Sequence, residues 1–207
     1  MNNDLQGTEE WKLERCGKVT ASRVSDVIAR TKSGYAAARA AYMADLLCER
    51  LTGRPKEGFQ SDAMLRGTEI EPAARRRYSI KTGNLIENMG FVTHPFIPMS
   101  GASPDGKVAG QRRLVEFKCP HSHTHFSYIE SKTVPKDYFT QQQWQMACTG
   151  TEVNDFASFD DRVPENLQLL IIPVERDDAY IAMLEQEVEK FLEELAAKEK
   201  LLRETIL

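Results

Sequence analysis

A chain of 207 residues with 41% hydrophobic and 8% aromatic content can bury one substantial core, and one domain over residues 1–207 is expected. No apolar run approaches the roughly 20 residues that span a bilayer, and the opening Met1 to Glu10 is polar and acidic rather than basic and then apolar. Membrane and secreted classes are thereby disfavoured, and a cytoplasmic protein is expected.

The opening reads as helical. Ser22 or Thr20 is placed to cap a helix through Val24, Val27 and Ile28, and Ala36 to Leu51 supplies strong helix formers with an apolar face at Tyr42, Leu46 and Leu47, ending near Gly53. A third helix is predicted from about Thr68, with Pro72 in its first turn, to Thr82-Gly83-Asn84. The period then changes. Leu85 to Val92, Pro98 to Ser103 and Leu114 to Cys119 read as strands, separated by turn signals at His94-Pro95, Pro104-Asp105-Gly106 and Gly110. Helical pattern returns from about Lys136 to Cys148, followed by strands Val153 to Phe159 and Leu167 to Val174. Ile181, Leu184, Val188, Phe191 and Leu195 recur at three and four residues and predict a long closing helix packed on its own domain. This order implies an α/β sandwich, a central mixed sheet flanked by helices.

The four cysteines, Cys16, Cys48, Cys119 and Cys148, form neither a CxxC pair nor a dense framework, so reduced thiols are expected. The net charge of −4 argues against a uniformly basic nucleic-acid binder. From Glu175 onward, however, ten acidic residues face five basic ones, so the rest of the chain carries about +1. A locally basic face is open to Arg66, Arg75, Arg76, Arg77, Arg112 and Arg113, which read equally as solvated surface.

The chemistry concentrates in Ser103-Pro104-Asp105-Gly106-Lys107 and Leu114-Val115-Glu116-Phe117-Lys118-Cys119-Pro120. Alternation along a strand sends Leu114, Glu116 and Lys118 to one face and Val115, Phe117 and Cys119 to the other. Asp105 sits in a turn at the end of the preceding strand. Two carboxylates brought together this way repel unless neutralised, and a hard divalent cation with oxygen ligands is the economical solution, with Lys118 beside it to manage a water. A Glu and a Lys two apart also suit a solvated edge pair.

Pro104-Asp105 with Glu116-Phe117-Lys118 is the PD-(D/E)xK signature, and the chain resembles the lambda exonuclease family at four places. These are Val19-Thr20-Ala21-Ser22, Arg66-Gly67-Thr68-Glu69-Ile70-Glu71, the two segments above taken together, and Gln141-Gln142-Gln143-Trp144-Gln145-Met146. The resemblance implies a PD-(D/E)xK nuclease fold. It implies Mg²⁺, for which Mn²⁺ would substitute, held by Asp105, Glu116 and the Phe117 backbone carbonyl, with Glu71 serving a second position. Lys118 would act on the attacking water and Gln143 would fix that water or the phosphate. Arg15, Ser22 and Ser103 match positions that bind a 5′-phosphate. The implied activity is 5′ to 3′ digestion of one strand of duplex DNA from its ends, giving 5′-mononucleotides and a 3′ overhang for phage-type recombination. A ring of three subunits and a single-strand annealing protein are the implied partners.

Plainer roles stand beside these. Glu71 also fits a helix-start carboxylate, Gln143 an exposed helix residue, Ser22 an N-cap, and Trp11 a core aromatic in preference to a base-contacting wedge. His121, His123 and His125 hint at zinc, but no further Cys/His group completes four ligands, and a polar surface beside the site is expected instead. An endonuclease of the same fold and a non-catalytic DNA-binding relative are the competing functions. The Arg15, Ser22 and Ser103 set favours an end-directed enzyme, and the intact Asp105, Glu116 and Lys118 favour an active one.

Overall fold

The structure, a computed structural model, describes residues 6–56 and 62–205. The first half of the polar opening, residues 1–5, lies outside that range. Thr8 accepts from the Trp11 N–H and so caps α1 (Glu9–Arg15). After β1 (Val19–Thr20) the chain makes a single 3₁₀ turn (Ala21–Arg23) and a four-residue α2 (Val24–Val27), with no side-chain cap on either. The expected cap at Ser22 or Thr20 is therefore not used. The Thr20 N–H is instead spent on Tyr42 Oη at 3.0 Å.

A hairpin of β2 (Arg30–Thr31) and β3 (Gly34–Tyr35) leads to α3 (Ala37–Thr52), which ends where Gly53 takes a left-handed φ of 66°. The next helix, α4 (Asp62–Thr82), begins earlier than Thr68, so Pro72 lies well inside it rather than in its first turn. The predicted strand at Leu85 to Val92 is two short strands in different sheets, β4 (Ile86–Glu87) and β5 (Val92–Thr93). The chain crosses between sheets in the intervening four residues. β6 (Ser100–Ala102) follows, then β7 (Gly106–Val108), which occupies what reads in sequence as a turn, and β8 (Arg113–Lys118). A further helix, α5 (Ser122–Ser131), precedes α6 (Lys136–Thr149), β9 (Val153–Phe159), β10 (Leu169–Glu175) and the long α7 (Asp178–Thr205).

The main sheet runs β10-β9-β8-β7-β4, parallel only between β8 and β9, and a smaller sheet runs β1-β6-β5. The mixed sheet expected from the sequence is present, with α4 on one face and α6 on the other. Burial explains the alternation. Val115 and Phe117 pack with Ala74 and Tyr78 of α4, whereas Leu114 packs with Met146 of α6 and Val174. The apolar stripe of α7 joins Tyr42, Leu46, Trp144 and the α2 valines in the largest cluster. α6 is thus shared by two clusters, and nearly all its residues after Thr140 are buried, polar ones included.

Gly106 marks the junction that carries Asp105. A Cβ there would lie 2.2 Å from Ile86 Cγ2 and 3.3 Å from the Glu87 carbonyl, so only glycine lets β4 close on β7. Gly106→Ala is expected to lower stability by about 1–3 kcal/mol, the usual range for overpacking. Chemical denaturation measures it, and an unchanged midpoint would contradict the β4–β7 pairing.

Candidate active site

The turn into β7 and the middle of β8 bring two carboxylates together at the sheet. The Phe117 N–H donates to Asp105 Oδ2 at 2.7 Å, which fixes the turn before β7 against β8. Glu116 is only 2% exposed, and its charge is met by three donors. Lys118 Nζ donates to Oε1 at 2.6 Å, Gln141 Nε2 to the same oxygen at 2.5 Å, and Gln145 Nε2 to Oε2 at 2.6 Å. Burial raises the Asp105 pKa well above the usual carboxylate value, and the charges of Glu116 and Glu71 raise it further. Burial of Lys118 works against its ammonium, but Glu116 and Asp105 outweigh it and hold its pKa above the ordinary lysine value. Lys118 therefore keeps its proton in this state and is a donor rather than a base.

Glu71 reaches this neighbourhood from α4 with a partner of its own. Arg75, one turn on, donates from Nε to Glu71 Oε1 at 2.9 Å and from Nη2 to the Asp105 carbonyl. Among the described residues no three His, Cys, Asp or Glu side chains are arranged to hold a metal ion. The donor set nevertheless suits a hard divalent cation. It is composed of oxygen, and burial first, then the charges of Glu116 and Glu71, raise the Asp105 pKa despite the opposing charge of Lys118. Asp105 and Glu116 line one cavity and supply oxygen donors of the kind such an ion takes, while Glu71 is held toward Arg75.

These carboxylates form one wall of a cavity of about 140 Å³. Arg15, Ser22 and Ser103 line the same cavity, so the sequence-predicted phosphate set and the acidic pair share one space. Trp11, expected as core, lines it too. Its ring lies 3.8 Å from the Arg15 guanidinium carbon, and its Nε1 donates to Ser103 Oγ at 3.0 Å. Burial lowers the Arg15 pKa, partly offset by Tyr42 and Glu49, and no described carboxylate lies within ion-pairing distance of it.

Three expectations are corrected. Gln143 does not face the site, because its amide is committed to the turn before α7: Nε2 donates to the Glu175 carbonyl and Oε1 accepts from the Asp177 N–H, each at 2.8 Å. Gln141 and Gln145, four apart on α6, occupy the place expected for it. The histidines do not form a polar surface as a set. His121 precedes α5 and stacks on His123, whereas His125 is fully buried between Ser158 Oγ (2.7 Å) and the Leu167 carbonyl (2.8 Å). Nor are the candidate DNA-facing arginines a free basic face as a set: Arg76 is exposed with no ion pair among the described residues, but the other five are paired. Arg66 pairs with Asp160 and Asp161, Arg75 with Glu71, Arg77 with Glu165, Arg112 with Glu152 and Arg113 with Asp155. All four cysteines are free thiols, and burial with the nearby Glu71 charge pushes Cys119 up to about 12, so it is no nucleophile.

Comparison with known proteins agrees with this geometry. Residues 10–152 match the YqaJ-like viral recombinase domain. The crystal structure of an alkaline exonuclease (LHK-Exo) from Laribacter hongkongensis is 48% identical and superposes with a TM-score of 0.89, covering 96% of this chain and 98% of that one. The same protein in complex with dAMP matches equally well. A phage related exonuclease from Haemophilus somnus 129PT shares the fold at 16% identity, with a TM-score of 0.73 over 91% of this chain and 96% of that one. No match is found among curated proteins, and among the described residues no helix is long and apolar enough to cross a membrane. The chain belongs to the YqaJ-like viral recombinase domain family, with the fold of an alkaline exonuclease and the PD-(D/E)xK residues of a nuclease in place.

Proposed function

We propose that this chain, folded as one domain, is a Mg²⁺-dependent 5′ to 3′ exonuclease on double-stranded DNA ends. It releases 5′-mononucleotides and leaves a 3′ overhang for recombination by strand annealing. The observation that carries this reading is the single cavity lined by Arg15, Ser22 and Ser103 together with Asp105 and Glu116. A pocket for a terminal phosphate has no use in an enzyme that cuts internally. The 48% identity to LHK-Exo, and the dAMP complex of that protein, support a deoxynucleoside monophosphate as the product class.

The terminal phosphate is received by Arg15, whose guanidinium is braced on the Trp11 ring, and by the Ser22 and Ser103 hydroxyls. Ser103 Oγ already accepts from Trp11, so its own proton is directed elsewhere and is available to a phosphate oxygen. Asp105, Glu116 and the Phe117 carbonyl would hold the cation, which when bound would supply positive charge against the scissile phosphate and acidity for the attacking water. Lys118 keeps its proton at Nζ, orders Glu116 Oε1 and offers charge to the transition state. The water oxygen bonds to phosphorus as the bond to the 3′ oxygen of the terminal nucleotide breaks, and that oxygen takes up a proton. The shortened strand again ends in a 5′-phosphate. The ring of three subunits and the annealing protein belong to the same proposal.

The test is linear duplex labelled at one 5′ end, compared with covalently closed circles. Early release of labelled mononucleotide with circles intact is expected, whereas rapid cutting of circles would show an endonuclease.

Removal of the cation gives a second test, with a sign fixed by Asp105. Its pKa is raised in the folded state, so the metal-free protein is stabilised by the Asp105 proton at acid pH and loses that contribution as pH rises through the folded value. Mg²⁺ competes with that proton. The rise in melting temperature on adding Mg²⁺, and the cleavage rate, should both grow from acid to alkaline pH. A shift independent of pH, or activity surviving exhaustive chelation, would contradict the carboxylate site.

A further inference from the structure

Glu116 is oriented from behind by a chain of amides of which Asn154 alone lies outside the motif segments. Three of the roughly four acceptor positions of its carboxylate are filled, by Lys118, Gln141 and Gln145. Gln141 and Lys118 both act on Oε1, so among the described residues Gln145 alone fixes Oε2. Its amide can present either an N–H or an oxygen to Glu116. On its other side Asn154 Nδ2 donates to Gln145 Oε1 at 2.6 Å, which is compatible only with the N–H facing Glu116. Asn154 stands in β9, beside Leu114 of β8 in the parallel pairing, and its carbonyl accepts from Gln142 Nε2 at 3.0 Å. All three of Gln142, Gln145 and Asn154 are fully buried.

The relay has a direction. Glu116 is anionic and calls for an N–H from Gln145, whose oxygen then calls for the N–H of Asn154. Asn154 Oδ1 is left buried with no partner among the described residues, as is Gln142 Oε1. A buried amide normally satisfies both ends, so an orphaned oxygen marks an orientation imposed from elsewhere. The only charge on this chain of bonds is Glu116.

Resting on the nuclease reading above, we propose that Gln145 and Asn154 are positioning residues that hold Glu116 in its cation-binding orientation, Asn154 acting through Gln145. Outer partners of this kind typically set metal affinity by about 10–100-fold.

The test uses Gln145→Met, Asn154→Leu and the double variant in the full chain. Mg²⁺ and Ca²⁺ binding is measured by titration calorimetry without DNA, alongside the Mg²⁺ dependence of cleavage and KM for DNA. Each single variant should weaken cation binding by about 10–100-fold with KM for DNA unchanged. The double variant should be no worse than Gln145→Met alone, because Asn154 has nothing left to act through. Additive losses, or a lowered melting temperature with cation binding unaltered, would overturn the proposal and leave both residues as packing. If Asn154→Leu does not fold, Asn154→Ser takes its place in the cycle under the same criteria. Calorimetry without DNA keeps this result separate from the nuclease reading, which fails only if the parent protein does not cut.

Discussion

Asp105→Ala, Glu116→Ala and Lys118→Ala should each leave a folded protein that cleaves DNA at least about a hundredfold more slowly, since on the proposed reading each removes a cation ligand or the donor beside it. Their effects on stability differ in sign, and that difference tests the electrostatics independently of activity. Burial and two neighbouring carboxylates oppose the charge of Asp105, so removing the side chain relieves that penalty wherever the carboxyl is ionised. The metal-free Asp105→Ala protein should melt higher than the parent at neutral pH. Lys118 is the ammonium that offsets Glu116, which is 2% exposed. Lys118→Ala leaves that carboxylate with the neutral amides of Gln141 and Gln145 but no countercharge, and should cost about 3 kcal/mol, the lower end for a broken buried pair because the Lys118 side chain is 22% exposed. Differential scanning calorimetry in the presence of a chelator reads both. A destabilised Asp105→Ala, or near-normal turnover in any of the three, would mean that the charges of this site are assigned wrongly.

The long elements were legible because burial writes a period into them. The α7 stripe and β9 match their expected positions closely, and the two faces of β8 separate as alternation requires. The short strands were not legible. Two or three residues, as in β4, β5 and β7, hold no period, and the turn signal at Pro104-Asp105-Gly106 covers the first residue of β7. In the Gln141 to Gln145 run the helical period itself held the answer. Residues four apart share a face and a residue two away points elsewhere, so Gln141 and Gln145 belong together and Gln143 does not. The four-residue spacing of Glu71 and Arg75 was readable in the same way. Trp11 and His125 were not. Whether a tryptophan packs in a core or braces an arginine, and whether a histidine is solvated or satisfied inside, depends on partners 92 and 33 residues away in sequence.

Duplex ends bearing a 5′-phosphate should be digested faster than 5′-hydroxyl ends, and Arg15→Ala should lose most of that preference. A terminal phosphate carries close to two negative charges, while a hydroxyl gives a guanidinium nothing to bind. Arg15 is prepared for such a charge: it is half-buried, stacked on Trp11, and without an ion-pairing carboxylate among the described residues. A charge-assisted hydrogen bond contributes about 1.5–3 kcal/mol, which corresponds to a preference of about 10–100-fold. Because the same cavity holds Asp105 and Glu116, binding the terminal phosphate sets the next phosphodiester against them, and the loss should appear in the chemical step as well as in affinity. Arg15→Lys separates charge from shape. It keeps the charge but gives up the planar stack on Trp11 and the bidentate contact, so it should fall between the parent and Arg15→Ala. Trp11→Phe keeps a ring beneath Arg15 and loses only the N–H to Ser103, so it should cost less than Arg15→Ala. Single-turnover digestion of paired substrates that differ only at the 5′ end gives all four comparisons. Equal rates on the two ends for the parent protein would remove the 5′-end reading while leaving the carboxylate pair and its hydrolytic chemistry standing.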